Sequence, residues 1–253
     1  MALVEPVPDA PAAVADLPDE RALVVADYHA GIEVGLRYQR GVELESNASV
    51  RRERLLSLLE DTDADRLVVL GDLAHRIAAP EGEERDELEA LIDAVTERVP
   101  FTLVVGNHDP GVAEAFADDL DVIGSGGGRI GDVGFVHGHT WPDAEVLGAD
   151  VVCMGHEHPQ VKLEDAVGGS RTERAWLRGP LKREPFVAEV GPDVNETWND
   201  PELVVFPAFN DRSGGTWINV EGQEFLAPFL PDALADGDAY LLDGTRLGNY
   251  RRV

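Results

Sequence analysis

Apolar residues follow two rhythms along the chain. Short unbroken runs occur in RALVVAD (residues 21–27), DRLVVLGD (65–72), PFTLVVGNHD (100–109) and ADVVCMGHEH (149–158), and each stops at a polar cluster. Runs of this length, bounded by turn formers, read as buried strands. Between them, ASVRRERLLSLLED (48–61) and ERDELEALIDAVTERV (84–99) have apolar residues at helical spacing, with Leu88, Leu91, Ile92, Val95 and Val99 on one face of the second. Ser46 or Asn47 can cap the first of these helices. A short helix is predicted over 111–117, and GGRIGDVGFVHGH (127–139) reads as a hairpin turning near Gly131-Asp132. Strands and helices alternating at this spacing imply a layered α/β domain.

After residue 159 the pattern turns β-rich. VKLEDAVGGSRTERAWLRG (161–179) reads as a strand pair around Gly168-Gly169, and ELVVFPAFN (202–210) and DAYLLDG (238–244) read as late strands. VGPDVNETWNDPE (190–202) reads as a polar loop, and residues 1–20 as an extended lead-in. With no repeat and no linker, one domain over 1–253 is expected, with a motif core at 22–158 and a β-rich part at 159–253. A chain of 253 residues with 43% hydrophobic content can bury a real core.

Composition narrows the setting. No apolar run approaches membrane-spanning length. The acidic, Pro-rich start lacks a basic segment and a long apolar one, so it does not read as a secretory signal. With Cys153 as the single cysteine, no intramolecular disulfide can form. A cytoplasmic location is expected. The net charge is -28, and Lys162 and Lys182 are the only lysines among 21 basic residues. Acidity with lysine depletion looks like a halophilic, salt-in cytoplasm, where molar salt screens self-repulsion. The acids are spread along the chain, so they do not form an acidic tail. An acidic surface normally argues against nucleic acid, but counterion release contributes little in molar salt. Basic residues also cluster, at Arg37, Arg40, Arg51, Arg52 and Arg54 and again at Arg171, Arg174, Arg178, Lys182 and Arg183. A solvated helix face explains the first group equally well.

The histidines carry the strongest chemical signal. His29, His75, His108, His137, His139, His156 and His158 all sit at or just past an apolar strand-like run. Asp27, Asp72, Asn107 and Asp109 share those segments. In an open α/β sheet, ligands bind beyond the carboxyl ends of the strands, so these side chains should converge on one rim. Mixed nitrogen and oxygen donors suit manganese, iron or zinc. His156 and His158 lie one residue apart, so both can reach one site from a single strand end.

The motif order resembles the calcineurin-like metallophosphoesterases. It comprises Asp27-Tyr28-His29, Gly71-Asp72-Leu73-Ala74-His75, Gly106-Asn107-His108-Asp109, His137, and Gly155-His156-Glu157-His158. The His75 form of the second motif resembles the SbcD-type DNA-repair nuclease branch. FPAFN, SGG and Asn219 look like a group of archaeal SbcD-related phosphoesterases, akin to bacterial enzymes associated with DNA ligase and a large helicase. The resemblance implies a four-layer α-β-β-α sandwich with two divalent metals, most simply manganese. It places Asp27, His29, Asp72 and His158 on the first ion. Asp72, Asn107, His137 and His156 take the second, so Asp72 bridges. It makes His108 the proton donor to the leaving group and sets His75 against the phosphate or the leaving group. Asp109, next to His108, can orient its ring, since a carboxylate commonly fixes an imidazole tautomer. His139 has no place in that pattern.

Two such ions can clamp a phosphate and provide a hydroxide for in-line attack on phosphorus. The leading expectation is therefore a phosphodiesterase acting on nucleic acid or nucleotides, with a helicase or repair partner implied by the resemblance alone. A small-molecule phosphomonoesterase is the alternative, and a non-catalytic scaffold is the third reading.

Overall fold

The computed structural model describes residues 2–41, 44–165 and 167–253. The chain opens with strands β1 (Val4–Pro6), β2 (Ala12–Asp16) and β3 (Arg21–Val25), then helices α1 (Ile32–Arg40) and α2 (Ala48–Thr62). Strand β4 (Arg66–Val69), helix α3 (Gly82–Thr96), strand β5 (Phe101–Val104), helix α4 (Pro110–Ala115) and strand β6 (Asp121–Ile123) follow. These strands form one sheet in the order β1-β2-β3-β4-β5-β6. Strands β3 to β6 are mutually parallel, while β1 and β2 pair antiparallel along the β3 edge.

The second sheet starts with the hairpin β7 (Gly128–Ile130) and β8 (Val133–Val136), followed by β9 (Val151–Met154). Strands β10 (Gln160–Glu164) and β11 (Ser170–Pro180) form the expected pair. Helices α5 (Arg183–Glu189) and α6 (Val194–Thr197) lead to β12 (Glu202–Val205), β13 (Asp238–Leu241) and β14 (Arg246–Asn249). The order is β14-β13-β11-β12-β9-β8-β7, with β10 paired to β11. Parallel pairing of β8, β9 and β12 sends their carboxyl ends to one rim.

The two-residue period of each strand divides its side chains between two cores. Ala22, Val24, Val68, Leu70 and Val104 face Val133, Phe135, Val151, Cys153, Trp176, Val204 and Phe206 across the two sheets. Their sequence neighbours Leu23, Val25, Leu67, Val69, Phe101 and Leu103 point outward, onto Leu55 and Leu59 of α2 and Leu88, Leu91, Ile92 and Val95 of α3. On the far side Val152, Met154, Leu203 and Val205 meet Phe186 of α5 and Val194 of α6. The layers are therefore α-β-β-α. Runs such as LVV are apolar throughout because both faces of each strand are covered.

Several segments go beyond the sequence expectation, β6, α5 and β14 among them. The extended lead-in is built into the sheet, with β2 hydrogen-bonded along all of β3. Helix α1 lies in a stretch with no expected element. Part of the expected polar loop at 190–202 is helical, with Val194 fully buried on the second sheet.

Candidate metal centre at the strand ends

Strands β3, β4, β5, β8 and β9 each hand their next residues to the same rim. The seven histidine rings gather there in two groups. His29 lies 5.5 Å from His75, 5.4 Å from His108 and 5.3 Å from His158, centroid to centroid. His137 lies 5.2 Å from His139 and 4.8 Å from His156. Two buried carboxylates join the groups. Asp27 Oδ1 is 3.2 Å from His158 Nε2 and 3.9 Å from His137 Nδ1. Asp72 turns Oδ2 toward His29 and His108, at 3.9 and 3.8 Å, and Oδ1 toward His137 Nε2 at 3.4 Å. Asn107 Oδ1 is 3.1 Å from the same His137 nitrogen.

Among the described residues, three sets of donors come close enough to share a cation: Asp27, His29 and His158; His29, Asp72 and His108; and Asp72, His137 and His156. The first and third sets lie within the two ligand groups expected from sequence. The second was not expected, since it brings His108 within ligand range of Asp72.

The local backbone is bent to achieve this. Asp27, His29, Asp72, His156 and His158 all have positive φ, between 45° and 69°. Such angles are costly for residues with a Cβ and persist only where the surroundings enforce them. A Cβ at Gly106 would lie 2.4 Å from Asp72 Oδ1, so only glycine lets the β5 loop approach that carboxylate.

Main-chain carbonyls set the histidine tautomers. Nδ1 of His137 faces the Leu70 carbonyl at 2.7 Å, and Nδ1 of His158 faces that of Gly214 at 2.8 Å. Nδ1 of His29 faces the Ala74 carbonyl at 3.4 Å, and Nδ1 of His108 faces that of His75. A carbonyl can only accept, so each Nδ1 must carry the hydrogen. In the neutral ring the lone pair then resides on Nε2, as a metal ligand requires.

Asp109 does not orient His108 as expected. Its Oδ2 accepts from the N–H of Asp72 and Gly106, at 2.7 and 2.8 Å, and its Oδ1 accepts from that of Leu73 at 2.8 Å. Both oxygens are occupied by the main chain, and the carboxylate pins the loop carrying Asp72. His75 stays in the first ring group, 6.0 Å from His108, with its Nδ1 buried and unpartnered. His139 Nδ1 is buried and unpartnered too.

Charge at the rim is poorly balanced by protein alone. Burial pushes His137 down to about 3 and His156 to about 4, and it lowers His29 well below the usual imidazole range. These rings are neutral lone-pair donors at pH 7. Burial, together with the Asp27 and Asp109 charges, raises Asp72. Burial opposes ionisation of Asp27, but His158, His137 and His29 outweigh it and hold that carboxyl low. His158 resists its own burial through Asp27 and reaches about 9. Protein groups alone balance this charge only by holding protons, on His158 against Asp27 and on Asp72 itself, and divalent cations with mixed oxygen and nitrogen preference fit the donor set in their place.

Sequence reasoning missed the supports behind the ligands. Glu157 points away from the rim, accepting from the Thr216 hydroxyl at 2.9 Å and the Ala227 N–H at 2.6 Å. Asn210 is buried and donates to the Tyr28 carbonyl at 3.0 Å. The alternation of His156, Glu157 and His158 was a usable signal for the first. Asn210 ends the FPAFN motif, but nothing local marked Thr216.

Residues 20–160 match the calcineurin-like phosphoesterase family, more than half of the chain. The chain belongs to that family. The match spans all five strand ends that carry histidine. Family membership makes the chain a hydrolase of phosphate esters that uses divalent metal ions. Among solved structures, a nuclease MPE from Pseudomonas putida is similar over 95% of this chain and 97% of its own, at 20% identity and a TM-score of 0.55. Yfce, a phosphoesterase from E. coli, is similar over 90% of this chain and 97% of its own, at 16% identity and a TM-score of 0.40. The first likeness bears on the fold. No curated protein matches the chain. Among the described residues, no helix is long and apolar enough to cross a membrane.

Proposed function

We propose that this phosphoesterase is a two-metal phosphodiesterase acting on nucleic acid or nucleotides. One observation carries the two-metal reading: Asp72 directs its two oxygens to different histidine groups. Asp27, His29, Asp72 and His158 then hold one ion, and Asp72, Asn107, His137 and His156 the other. Manganese suits the mixed donors. Bound there, the ions supply Lewis acidity and a nucleophile at neutral pH. With its Nδ1 hydrogen engaged on the His75 carbonyl, His108 has only Nε2 to deliver a proton to the leaving oxygen. His75, beside it, lies where it can contact the phosphate or the leaving group. Asp109 acts by holding the Asp72 loop.

The diester preference draws on the SbcD-like second motif and on the nuclease among the structural relatives. The same resemblance is the support for a repair or helicase partner. The lysine-poor, acidic composition supports a halophilic, archaeal source and a cytoplasmic location. Residues 1–253 are read as one unit, since β11 to β14 belong to the sheet that carries His137, His156 and His158.

Manganese-loaded protein tested on bis-p-nitrophenyl phosphate, p-nitrophenyl phosphate and labelled DNA decides the matter. The diesters are expected to turn over fastest. Preference for the monoester overturns the proposal, and inactivity on all three points to a scaffold.

A further inference from the structure

Two guanidinium groups beside the loop after β12 make no ion pair among the described residues. Arg54 of α2 lies over the Phe209 ring, its central carbon 5.4 Å from the ring centroid. Arg174 of β11 donates from Nη1 to the Ala208 carbonyl at 3.2 Å. Both are half-buried, and they rest on consecutive residues of the loop after β12. Nearby arginines are paired differently. Arg51 lies between Glu33 and Glu87, and Arg212 reaches Glu33 at 3.4 Å. Burial disfavours the charge on Arg54 and Arg174, and Arg54 adds repulsion on Arg174. Asp211 offsets part of this for both, and Glu173 for Arg174. In a chain with 49 acidic residues against 21 basic ones, two adjacent half-buried guanidiniums that Asp211 and Glu173 balance only in part, with no carboxylate at ion-pair distance among the described residues, are a site for an anion.

The location links the pair to the metal centre. Phe209 N donates to the Ala26 carbonyl at 2.7 Å, and Asn210 N to that of Asp27 at 3.2 Å. Asn210 Nδ2 donates to the Tyr28 carbonyl at 3.0 Å. The two arginines therefore sit on the segment that braces Asp27 and His29. We propose that Arg54 and Arg174 form a second phosphate subsite, taking the phosphate next to the scissile one in a nucleic-acid strand. The inference rests on the phosphodiesterase reading. A planar guanidinium suits phosphate through paired N–H donors, and a small monoester has no second anion to place there.

The test uses two trinucleotides that differ only in the flanking linkage, a phosphate in one and a neutral methylphosphonate in the other. The kcat/KM ratio between them should be roughly 10- to 100-fold in the unmodified protein, the range for hydrogen bonds to a charged group. In the Arg54→Gln/Arg174→Gln variant it should fall toward one. The ratio is internal to each protein, so partial unfolding cancels. An unchanged ratio in the variant, or a ratio of one in the unmodified protein, overturns the subsite. If neither trinucleotide is cleaved, the phosphodiesterase reading fails instead. Binding of a labelled thymidine oligonucleotide to chelated protein then tests the arginines alone. Loss of one phosphate contact should flatten the log–log salt dependence by about 0.7 in the variant, and identical slopes overturn the proposal.

Discussion

The Arg51 cluster and the histidine rim both hold carboxylates out of water, yet they balance charge differently. Arg51 of α2 bonds Glu33 of α1 at 3.2 Å and Glu87 of α3 at 2.6 Å, with all three side chains at most 5% exposed. Glu87 also accepts the Gly31 N–H at 2.8 Å. The acids hold the guanidinium protonated against its burial, and Arg51 keeps Glu33 ionised. This cluster is closed by protein groups and ties three helices together. At the rim, His29, His137 and His156 are neutral, and the buried Asp27 and Asp72 are balanced only by protons, on His158 and on Asp72 itself, which a cation can displace. A closed buried network points to scaffolding, an open one to a ligand.

The sharpest way to break the contrast is at Asp72. Asp72→Asn removes the carboxylate whose oxygens face both histidine groups. It should lose most bound metal and reduce turnover by more than the roughly 10²–10⁴-fold expected of a general acid alone. Elemental analysis after manganese loading gives the stoichiometry; two full equivalents would mean Asp72 does not bridge. Next in size is His108→Ala, with kcat lower by about 10²–10⁴-fold and metal content kept. The loss should shrink for p-nitrophenolate leaving groups, which need little protonation. Reduced metal would place His108 among the ligands, as its closeness to Asp72 allows.

On the closed side, Arg51→Met leaves Glu87 without its ion-pair partner and Glu33 with Arg212 alone, and should cost about 3–5 kcal/mol in denaturant unfolding, the range for breaking a buried ion pair. Metal stoichiometry in the folded fraction should not change. A smaller effect concerns pH. In chelated protein His158 titrates near 9 rather than 6.5, and Asp72 is also raised. The folded state then keeps protons that the unfolded chain has released, so stability falls as pH climbs from about 6.5 to about 9. Bound cations displace those protons, so metal-loaded protein should not show the fall in its melting temperature. Smallest is the salt effect. Melting should rise between about 0.05 and about 2 M potassium chloride as screening relieves the net charge. Arg51→Met should show the same increment, because its cluster lies beyond the reach of the ions.

Much of this layout was legible in the sequence where local pattern and tertiary role coincide. Strands β3, β4, β5 and β9 are apolar on both faces because both are covered, and each ends at a polar motif the eye can find. Helix α3 carried its core face at Leu88, Leu91, Ile92 and Val95. Elements fixed by distant partners were not legible. Strands β1 and β2 are short and flanked by prolines, and their pairing comes from β3. Helix α1 contains Gly35, a poor helix former, yet a Cβ there would lie 2.4 Å from the His75 ring. Packing against the rim chose that glycine over propensity. Asp109 was misread for a related reason. Adjacency in sequence suggested a contact with His108, whereas the fold spends its carboxylate on main-chain N–H groups of the Asp72 loop, 36 or more residues away in sequence.

Cys153 sits at the middle of the sheet-to-sheet core, fully buried, with its thiol pushed well above the ordinary range by that burial. As the only cysteine of the chain, it is a built-in clock. A thiol reagent can react only when β9 parts from the facing sheet, and β9 leads directly into His156. The labelling rate of loaded protein against chelated protein therefore times how firmly the cations clasp the two halves of the sandwich, with no dye, tag or substrate needed.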